Sequence, residues 1–296
     1  MENATPSTDG EALLEAVFGA DRSPDAVRRL IPRCTKEELN RALATAAACG
    51  HLAAVRELIP VSDPRASDSR ALRWAAEKGQ LDAVKALVPV SDPTANDSEA
   101  LRWAARNGHL GVVRELVSVS DPRANRSEAL RWAAENGHHR VVRELVPLSD
   151  PKANGSEALC LAAEGGYTAT VRTLVPISDP KARGSEALRW AAEHGHLETV
   201  RELVPVSDVG AAFREALERV QKGLTDVQDL RTRRAVRAVN ELMPYVADEL
   251  LEQAARGLPV ELLKLTPHLA AWRGAVLLRE ATEASPRARP RRRCSL

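Results

Sequence analysis

The sequence repeats every 29 residues, and this period constrains the fold more than any other feature. Five consecutive rows, which begin at Ser62, Ser91, Ser120, Ser149 and Ser178, follow one another without insertion or deletion. A unit of this size cannot bury an apolar face alone, so neighbouring units must stack against one another. We therefore interpret the 296 residues as an array of similar units and not as two unrelated domains.

Within a row, the apolar residues predict two short helices. In the second row, residues 101–105 and 112–117 both carry apolar side chains at helical spacing. Ser98 precedes the first segment and is a candidate N-cap, and Gly108 predicts a left-handed helix end. A proline follows the second segment in four rows, at Pro89, Pro147, Pro176 and Pro205. The row is thus predicted to fold as helix, tight turn, helix and loop.

Three stretches of the second row carry a family resemblance. Residues 99–105 read Glu-Ala-Leu-Arg-Trp-Ala-Ala, residues 108–109 read Gly-His, and residues 112–117 read Val-Val-Arg-Glu-Leu-Val. They resemble the ankyrin repeat, whose pattern is Thr-Pro-Leu-His-x-Ala-Ala, then Gly-His, then Val-Val-x-x-Leu-Leu. The resemblance covers residues 62–206 and implies an all-α, ankyrin-like helix-turn-helix solenoid. Since the family's period is about 33 residues, we expect shortened inter-repeat loops, with an Asp-Pro turn in place of the projecting hairpin.

The flanking sequence contains weaker copies of the same pattern. We expect disorder in residues 1–10, degenerate repeats in 11–61, five regular repeats in 62–206, degenerate helical repeats in 207–285 and a disordered Arg-rich tail in 286–296. Residues 221–234 are expected to be irregular. Terminal units of a stacked array depart from the consensus because their outer face meets water.

The sequence shows no catalytic motif. It lacks a glycine-rich phosphate loop, a His-Glu-x-x-His pair and a nucleophile elbow, so we expect no enzyme, no cofactor, no bound metal and no small-molecule substrate. His109, His138 and His196 share one column, but Gln80 and Tyr167 occupy it too. A column that accepts such different side chains favours turn capping over metal binding.

Composition and cysteine spacing bear on the cellular location. Cys34, Cys49, Cys160 and Cys294 lie far apart in the sequence, which is typical of free thiols in a reducing compartment. We expect a cytoplasmic monomer, with the nucleus as the alternative location because of the C-terminal Arg cluster. The polar N-terminus predicts no signal peptide, and no apolar stretch is long enough to span a bilayer.

Two repeated columns are open to a structural or a ligand-binding interpretation. Tryptophan recurs at Trp74, Trp103, Trp132 and Trp190, with Leu161 in the fourth row, and this substitution favours packing between repeats over base stacking or an aromatic cage for a cation. Arginine recurs at Arg73, Arg102, Arg131 and Arg189. In most rows a Glu stands three residues before the Arg, which predicts an ion pair on one helix. In the first row Arg70 takes that place, so Arg73 is the candidate for contact with an acidic ligand.

Columns that vary among the rows are not fixed by packing, and they match the positions through which ankyrin-type repeats contact partners. We take the pair before each Gly and one loop position as candidate partner-binding sites. The candidate residues are Glu77, Lys78, Arg106, Asn107, Glu135, Asn136, Glu164, Glu193, His194, Arg65, Thr94, Arg123, Lys152, Lys181 and Arg73. Free drift of exposed positions is the alternative. Their mixed charges argue against bare nucleic acid as the partner.

The sequence therefore predicts a scaffold that binds a protein of unknown identity. One alternative is an adaptor or secreted effector whose C-terminal part docks separate machinery. Another rests on the five Arg residues within 287–293, which could bind nucleic acid or an anionic membrane. Cys294 beside them is a candidate acylation site.

Overall fold

The computed structural model describes residues 8–18, 24–222, 230–248, 250–251, 254 and 270–275, and these residues contain helices and no β-strand. The helices are α1 (Thr8–Phe18), α2 (Pro24–Leu30), α3 (Lys36–Cys49), α4 (Leu52–Leu58), α5 (Ala66–Glu77), α6 (Leu81–Leu87), α7 (Ala95–Arg106), α8 (Leu110–Leu116), α9 (Ala124–Glu135), α10 (His139–Leu145), α11 (Ala153–Glu164), α12 (Thr168–Leu174), α13 (Ala182–His194), α14 (Leu197–Leu203), α15 (Val209–Lys222) and α16 (Leu230–Leu242).

The chain divides into two compact units, Met1–Asp179 and Pro180–Leu296. In the first unit, the first helices α3, α5, α7, α9 and α11 pack side by side, and the second helices α4, α6, α8, α10 and α12 form a parallel layer. The predicted helix-turn-helix array is therefore confirmed. The expected disorder of residues 1–10 is wrong at its end, because α1 begins at Thr8.

Small and medium apolar side chains fill the first unit's core. Each regular repeat buries one Leu and two consecutive Ala from its first helix, as Leu101, Ala104 and Ala105 do with 0% exposure. The second helix adds Val113 and Leu116, which are also fully buried. Because Ala keeps the helix surfaces thin, neighbouring axes can approach to about 8–10 Å. This packing explains how a chain with only 3% aromatic residues builds a core.

Near the start of the first helix of each regular repeat, within the bounds given above, three consecutive residues have a left-handed backbone. In the second repeat, Asn96, Asp97 and Ser98 have φ angles of 50°, 57° and 60°. The same conformation recurs at residues 67–69, 125–127, 154–156 and 183–185. A β-carbon makes this region costly by about 1–2 kcal/mol per residue, so another contact must hold the turn in place. The turn and the Asp-Pro segment before it replace the hairpin loop, as expected.

The serine at the end of each left-handed turn provides that contact. Ser127 is 1% exposed, and its Oγ accepts the backbone N–H of Asp150 in the next repeat at 2.8 Å. The same bond joins Asp92 to Ser69 and Asp121 to Ser98. The interpretation of Ser98 as an N-cap is thus wrong: its left-handed backbone directs the hydroxyl away from its own helix and towards the next repeat. Asn40 has the same role for Asp63, at 2.7 Å.

The Asp-Pro segment contributes two further repeated bonds. The Asp carboxylate accepts the N–H two residues on, as Asp121 Oδ1 does from Arg123 at 2.9 Å. This Asx turn fixes the loop before the left-handed residues begin. The Ser before the Asp donates its hydroxyl to the Pro carbonyl of the preceding repeat, as Ser120 does to Pro93 at 3.2 Å. Backbone polar groups of the loop are therefore paired across each repeat boundary.

The second unit keeps one regular helix pair, α13 and α14, and then departs from the pattern. Val209 replaces the usual Pro, no left-handed turn follows, and α15 begins directly with Asp208 Oδ1 accepting the N–H of Ala211 at 2.8 Å. Helix α16 packs on both α13 and α15. The irregular stretch expected at 221–234 is wrong at both ends, because residues 221–222 and 230–234 are helical. Most of residues 246–285 and the whole tail 286–296 lie outside the described residues.

The described part of the chain has no helix long and apolar enough to cross a membrane. Cys34, Cys49 and Cys160 form no disulfide, and Cys294 lies outside the described residues.

Replacing Ser127 with Ala tests the inter-repeat bond. The substitution leaves the backbone N–H of Asp150 without its acceptor, so we expect the free energy of unfolding to fall by about 1–3 kcal/mol. Urea unfolding followed by circular dichroism measures it. Ser118→Ala, at an exposed serine, is the matched control and should change stability by less than about 0.5 kcal/mol. Equal effects of the two substitutions would contradict the assigned bond.

Replacing Asp97 with Gly tests the strain in the left-handed turn. Glycine already occupies this column at Gly155 and Gly184. Relief of about 1–2 kcal/mol of backbone strain should exceed the added flexibility of the unfolded chain, about 0.5–1 kcal/mol. We therefore expect the Gly variant to be more stable in urea unfolding. Asp97→Ala keeps the β-carbon, so it should bring no such gain.

Candidate functional site

The arginine column pairs with the next repeat and not with its own helix. Arg73 Nη1 lies 2.5 Å from Glu99 Oε2, and Arg131 Nη1 lies 3.0 Å from Glu157 Oε2. Arg102 pairs with Glu128 in the same way. The predicted pair between residues three apart on one helix is therefore wrong in these repeats. Arg73, which was expected to lack a partner, has one.

The same arginines hold the left-handed turns from inside the repeat. Arg73 donates from Nη2 to the carbonyl oxygen of Ser67 at 2.8 Å and from Nε to that of Asp68 at 3.0 Å. Arg131 donates from Nη2 to the carbonyl oxygen of Asn125 at 3.0 Å. One guanidinium thus ties its own loop to the neighbouring repeat. The Arg column therefore has a structural role, and little of its hydrogen-bonding capacity is left for a ligand.

Glu99 shows how the carboxylate of this pair is kept ionised. Burial by itself would raise its pKa, but hydrogen bonds from Trp103 and Asn96, together with the charge and hydrogen bond of Arg73, outweigh burial, so the pKa lies below its usual value. The donors are Trp103 Nε1 and Asn96 Nδ2, each 3.0 Å from a carboxylate oxygen. The Glu column is therefore as fully engaged as the Arg column.

The equivalent arginine in the second unit is surrounded by carboxylates. Arg189 is 1% exposed, and its Nη1 lies 2.6 Å from Glu193 Oε1. Glu186 lies 3.3 Å from Nη2, so the predicted pair between residues three apart does form in this repeat. Glu215 of α15 approaches Nε at 3.4 Å. Glu193 was a candidate for partner contact, but it is only 7% exposed and is paired inside the unit.

The histidine column caps the helix of the preceding repeat. Nε2 of His109 lies 2.9 Å from the carbonyl oxygen of Glu77, and Nε2 of His138 lies 3.0 Å from that of Arg106. Because a carbonyl only accepts, Nε2 must carry the proton in both. Gln80 donates to Ala48 at the same offset, at 3.2 Å. The predicted capping role is confirmed for these side chains, although the capped helix belongs to the neighbouring repeat.

The Trp column packs between repeats but remains partly exposed. The rings of Trp103 and Trp132 have centroids 5.5 Å apart and are inclined by 48°. The guanidinium of Arg106 lies 5.1 Å from one centroid and 5.3 Å from the other, so it covers both rings. Trp74 is 40% exposed, with Arg70 over its ring at 5.7 Å. The Trp side chains of the first unit are thus not all buried in its interior.

The pairs before each Gly, which we call the variable pairs, lie beside this Trp column at the ends of the first helices. Exposed members are Lys78, Arg106, Asn107, Glu135 and Asn136, whereas Glu77, Glu164 and His194 are half-buried. Lys78 forms an ion pair with Glu77 at 2.8 Å. Asn107 and Asn136 donate to the carbonyls of Glu77 and Trp132. The variable pairs thus present amide and charged groups to solvent next to aromatic surface.

The variable loop positions form a second exposed row, which we call the loop edge. Its candidate residues Arg65, Thr94, Arg123, Lys152 and Lys181 are all exposed. Between the third and fourth repeats the loop edge contains a cleft of about 620 Å³. Arg123, Arg126 and Lys152 line it together with Asp150. We call this feature the basic cleft.

Within the described ranges, no group of three or more His, Cys, Asp or Glu side chains could hold a metal ion. Cys160 occupies the Arg column in the fourth repeat and is 2% exposed, so its thiol is shielded from solvent.

The bonds between repeats could not be found by comparing equivalent positions of the repeats with one another, because each bond joins two different positions of neighbouring repeats. Their sequence offsets are constant: 23 residues for the Ser–Asp bond, 26 for the Arg–Glu pair and 32 for the His–carbonyl bond. A search for complementary residue types at one fixed offset, repeated row after row, is the signal that could have found the first two.

The comparisons with known proteins agree with this geometry. A family model described as ankyrin repeats (3 copies) matches residues 13–97, 90–154 and 130–213. Among solved structures, the crystal structure of the human ASB11 ankyrin repeat domain matches with a TM-score of 0.55 and 16% identity. That match covers 69% of this chain and 97% of the other. Curated protein sequences give no match.

Glu99→Gln tests the role of the ionised carboxylate. Because the folded-state pKa of Glu99 is lowered, its charge contributes stability above the ordinary Glu pKa of about 4.3, and this contribution is lost as pH falls through the lower folded value. We expect the variant to be less stable than the wild type at neutral pH, and the difference to shrink on acidification below about pH 4.

Thermal unfolding across a pH series measures this difference. Glu135→Gln removes an exposed carboxylate and should change stability little at any pH. A stability difference for Glu99→Gln that stayed constant down to acid pH would contradict the assignment.

Proposed function

Because the chain belongs to the ankyrin repeat family, we propose that it is a non-enzymatic protein-binding module whose partner contacts the variable pairs and the loop edge. Ankyrin repeats generally mediate protein–protein interactions, and the family is typically non-enzymatic. The surface that the partner contacts is the part we propose.

One observation carries the proposal: the repeated polar columns are engaged within the array, whereas many of the varying columns face solvent. Ser127, Arg131 and Glu157 are used in bonds between repeats. Lys78 and Arg123 are exposed, so their side chains can change without loss of an inter-repeat bond. Buried Glu193 and the ion-paired Arg73 are therefore omitted from the proposed surface.

The half-exposed Trp side chains strengthen the case for a protein partner. Aromatic and Arg side chains are enriched at protein interfaces, where they supply much of the binding energy. Here the tilted rings of Trp103 and Trp132 and the guanidinium of Arg106, a member of the variable pairs, lie against one another. A partner that covered this group would bury aromatic surface within a polar rim, which is the usual arrangement of such an interface.

An affinity capture from the protein's native lysate tests the proposed surface. The test variant carries Lys78→Ala, Arg106→Ala and Glu135→Ala, three exposed members of the variable pairs. The control carries Asp82→Ala, Lys85→Ala and Arg140→Ala, three exposed residues of second helices. Both variants change the net charge by the same amount, so a general electrostatic effect would appear in both.

We expect the test variant to lose partners that the wild type and the control retain, by about tenfold or more in recovered protein if the partner uses hot-spot side chains. Circular dichroism checks that all three proteins are folded. Identical sets of captured proteins from the test variant and the wild type would refute the proposed surface.

A further inference from the structure

The basic cleft is lined by cations that have no carboxylate partner among the described residues, in contrast to the Arg column. Arg73, Arg102 and Arg131 each have a Glu in the next repeat. In contrast, the side chains of Arg123 and Lys152 form no ion pair or hydrogen bond with any residue that the structure describes. Both side chains are exposed and line the same space of about 620 Å³.

Two further charged groups, one cation and one anion, line the cleft and leave its net charge positive. Arg126 donates from Nη1 to the amide oxygen of Asn154 at 3.1 Å, which is a neutral partner. Asp150 accepts the backbone N–H of Lys152 at 2.9 Å, so its carboxylate serves the Asx turn of the loop. Three cations and one anion leave the lining with a net positive charge.

The loop geometry does not require these cations. Asp97 stands in the second repeat where Arg126 stands in the third, and their backbones coincide, with φ and ψ of 57° and 47° for Asp97 and 58° and 48° for Arg126. Thr94 likewise stands in the column of Arg123 and Lys152. The same turn therefore forms with a neutral or acidic loop, and the positive charge is a property of the surface.

We propose that the basic cleft binds an acidic segment of a protein partner, with carboxylates placed on Arg123, Arg126 and Lys152. This inference rests on the proposed function and names the chemistry of one part of its surface. A guanidinium suits the task because it presents several N–H groups in a plane and can bind a carboxylate with two parallel hydrogen bonds.

The charge distribution favours a peptide over a nucleic acid. A phosphodiester strand requires a continuous basic track, but Asp92, Asp121 and Asp150 recur along the loop edge, and Thr94 and Asp97 interrupt the cations. A short acidic stretch fits a local cluster. Neighbouring repeats are about 10 Å apart, and an extended peptide advances about 3.3 Å per residue, so an acidic residue at every third position matches the spacing.

Fluorescence anisotropy with the full-length protein tests the proposal. The probe is a short labelled peptide with Glu at every third position, and its Gln analogue is the neutral control. Arg126→Asp introduces the residue that the second repeat has in this column. Lys152→Thr introduces the second repeat's residue and leaves the left-handed turn untouched, so it serves if Arg126→Asp disturbs the fold.

Arg140→Asp is the matched control variant. It makes the same change in net charge, and it introduces the residue that the first repeat has there, Asp82. Arg140 lines a different cleft of about 420 Å³, with Arg114, Arg143 and Glu144. That cleft is the competing site for an anion, although Arg114 already pairs with Glu144 at 3.1 Å.

We expect the Glu peptide to bind the wild type, with an affinity that falls as salt is added. Arg126→Asp should weaken binding about tenfold, because it removes one attraction and adds one repulsion. Lys152→Thr should weaken binding by about threefold, and Arg140→Asp by less than about twofold.

Four results would overturn the proposal: equal binding of the Gln peptide, equal losses in Arg126→Asp and Arg140→Asp, no loss in Lys152→Thr, or binding of a single-stranded oligonucleotide or anionic vesicles in place of the peptide. The peptide measurement does not use the lysate capture. Failure of the peptide with a capture that still depends on Lys78, Arg106 and Glu135 would reject this inference alone, and failure of both would reject the proposed function as well.

Discussion

The hydrogen bond from the Asp amide of one repeat to the buried Ser hydroxyl of the preceding repeat is the contact on which the array depends. It requires the Ser to adopt a left-handed backbone, as Ser127 does with a φ of 60°. It also fixes where the next Asp-Pro segment must begin. Three left-handed residues in succession are unfavourable by themselves, so the turn exists because the neighbouring repeat and the Arg of its own repeat hold it.

This dependence makes each repeat a partner of the next. The Arg–Glu pair and the His–carbonyl bond cross the same boundary between repeats. The loop, the middle and the end of the first helix are therefore each bonded to the adjacent repeat. Stability in such an array is approximately a sum of terms within repeats and between nearest neighbours. The second unit shows what happens when the pattern stops: Asp208 still donates to Ser185 at 2.7 Å, but α15 then begins without a left-handed turn.

The sequence predicted the helices well because their signals are local. Apolar spacing located both helices of each repeat, and Gly108, with a φ of 74°, ends the first helix as expected. The polar contacts between repeats were mostly missed. A Glu three residues before an Arg is a good intrahelical pair on spacing alone, but Glu99 pairs with Arg73 of the preceding repeat. The partial exposure of Trp74 was missed for a similar reason, since a repeated column indicates a common environment but not its depth.

Many side chains of the varying columns, unlike those that form bonds between repeats, contribute little to the fold, and this determines the role that they can have. A side chain such as Arg126 occupies a position where Gly155 and Gly184 show that no side chain is needed. Its backbone bears the strain of a β-carbon at a φ of 58°, and among the described residues its side chain hydrogen-bonds only to the neutral amide of Asn154. The fold therefore gains little from this arginine, whereas the charge of the basic cleft depends on it. At such positions the side chain does not affect the fold but does determine the surface charge. A repeat array can therefore acquire specificity for one partner through these positions without altering its core.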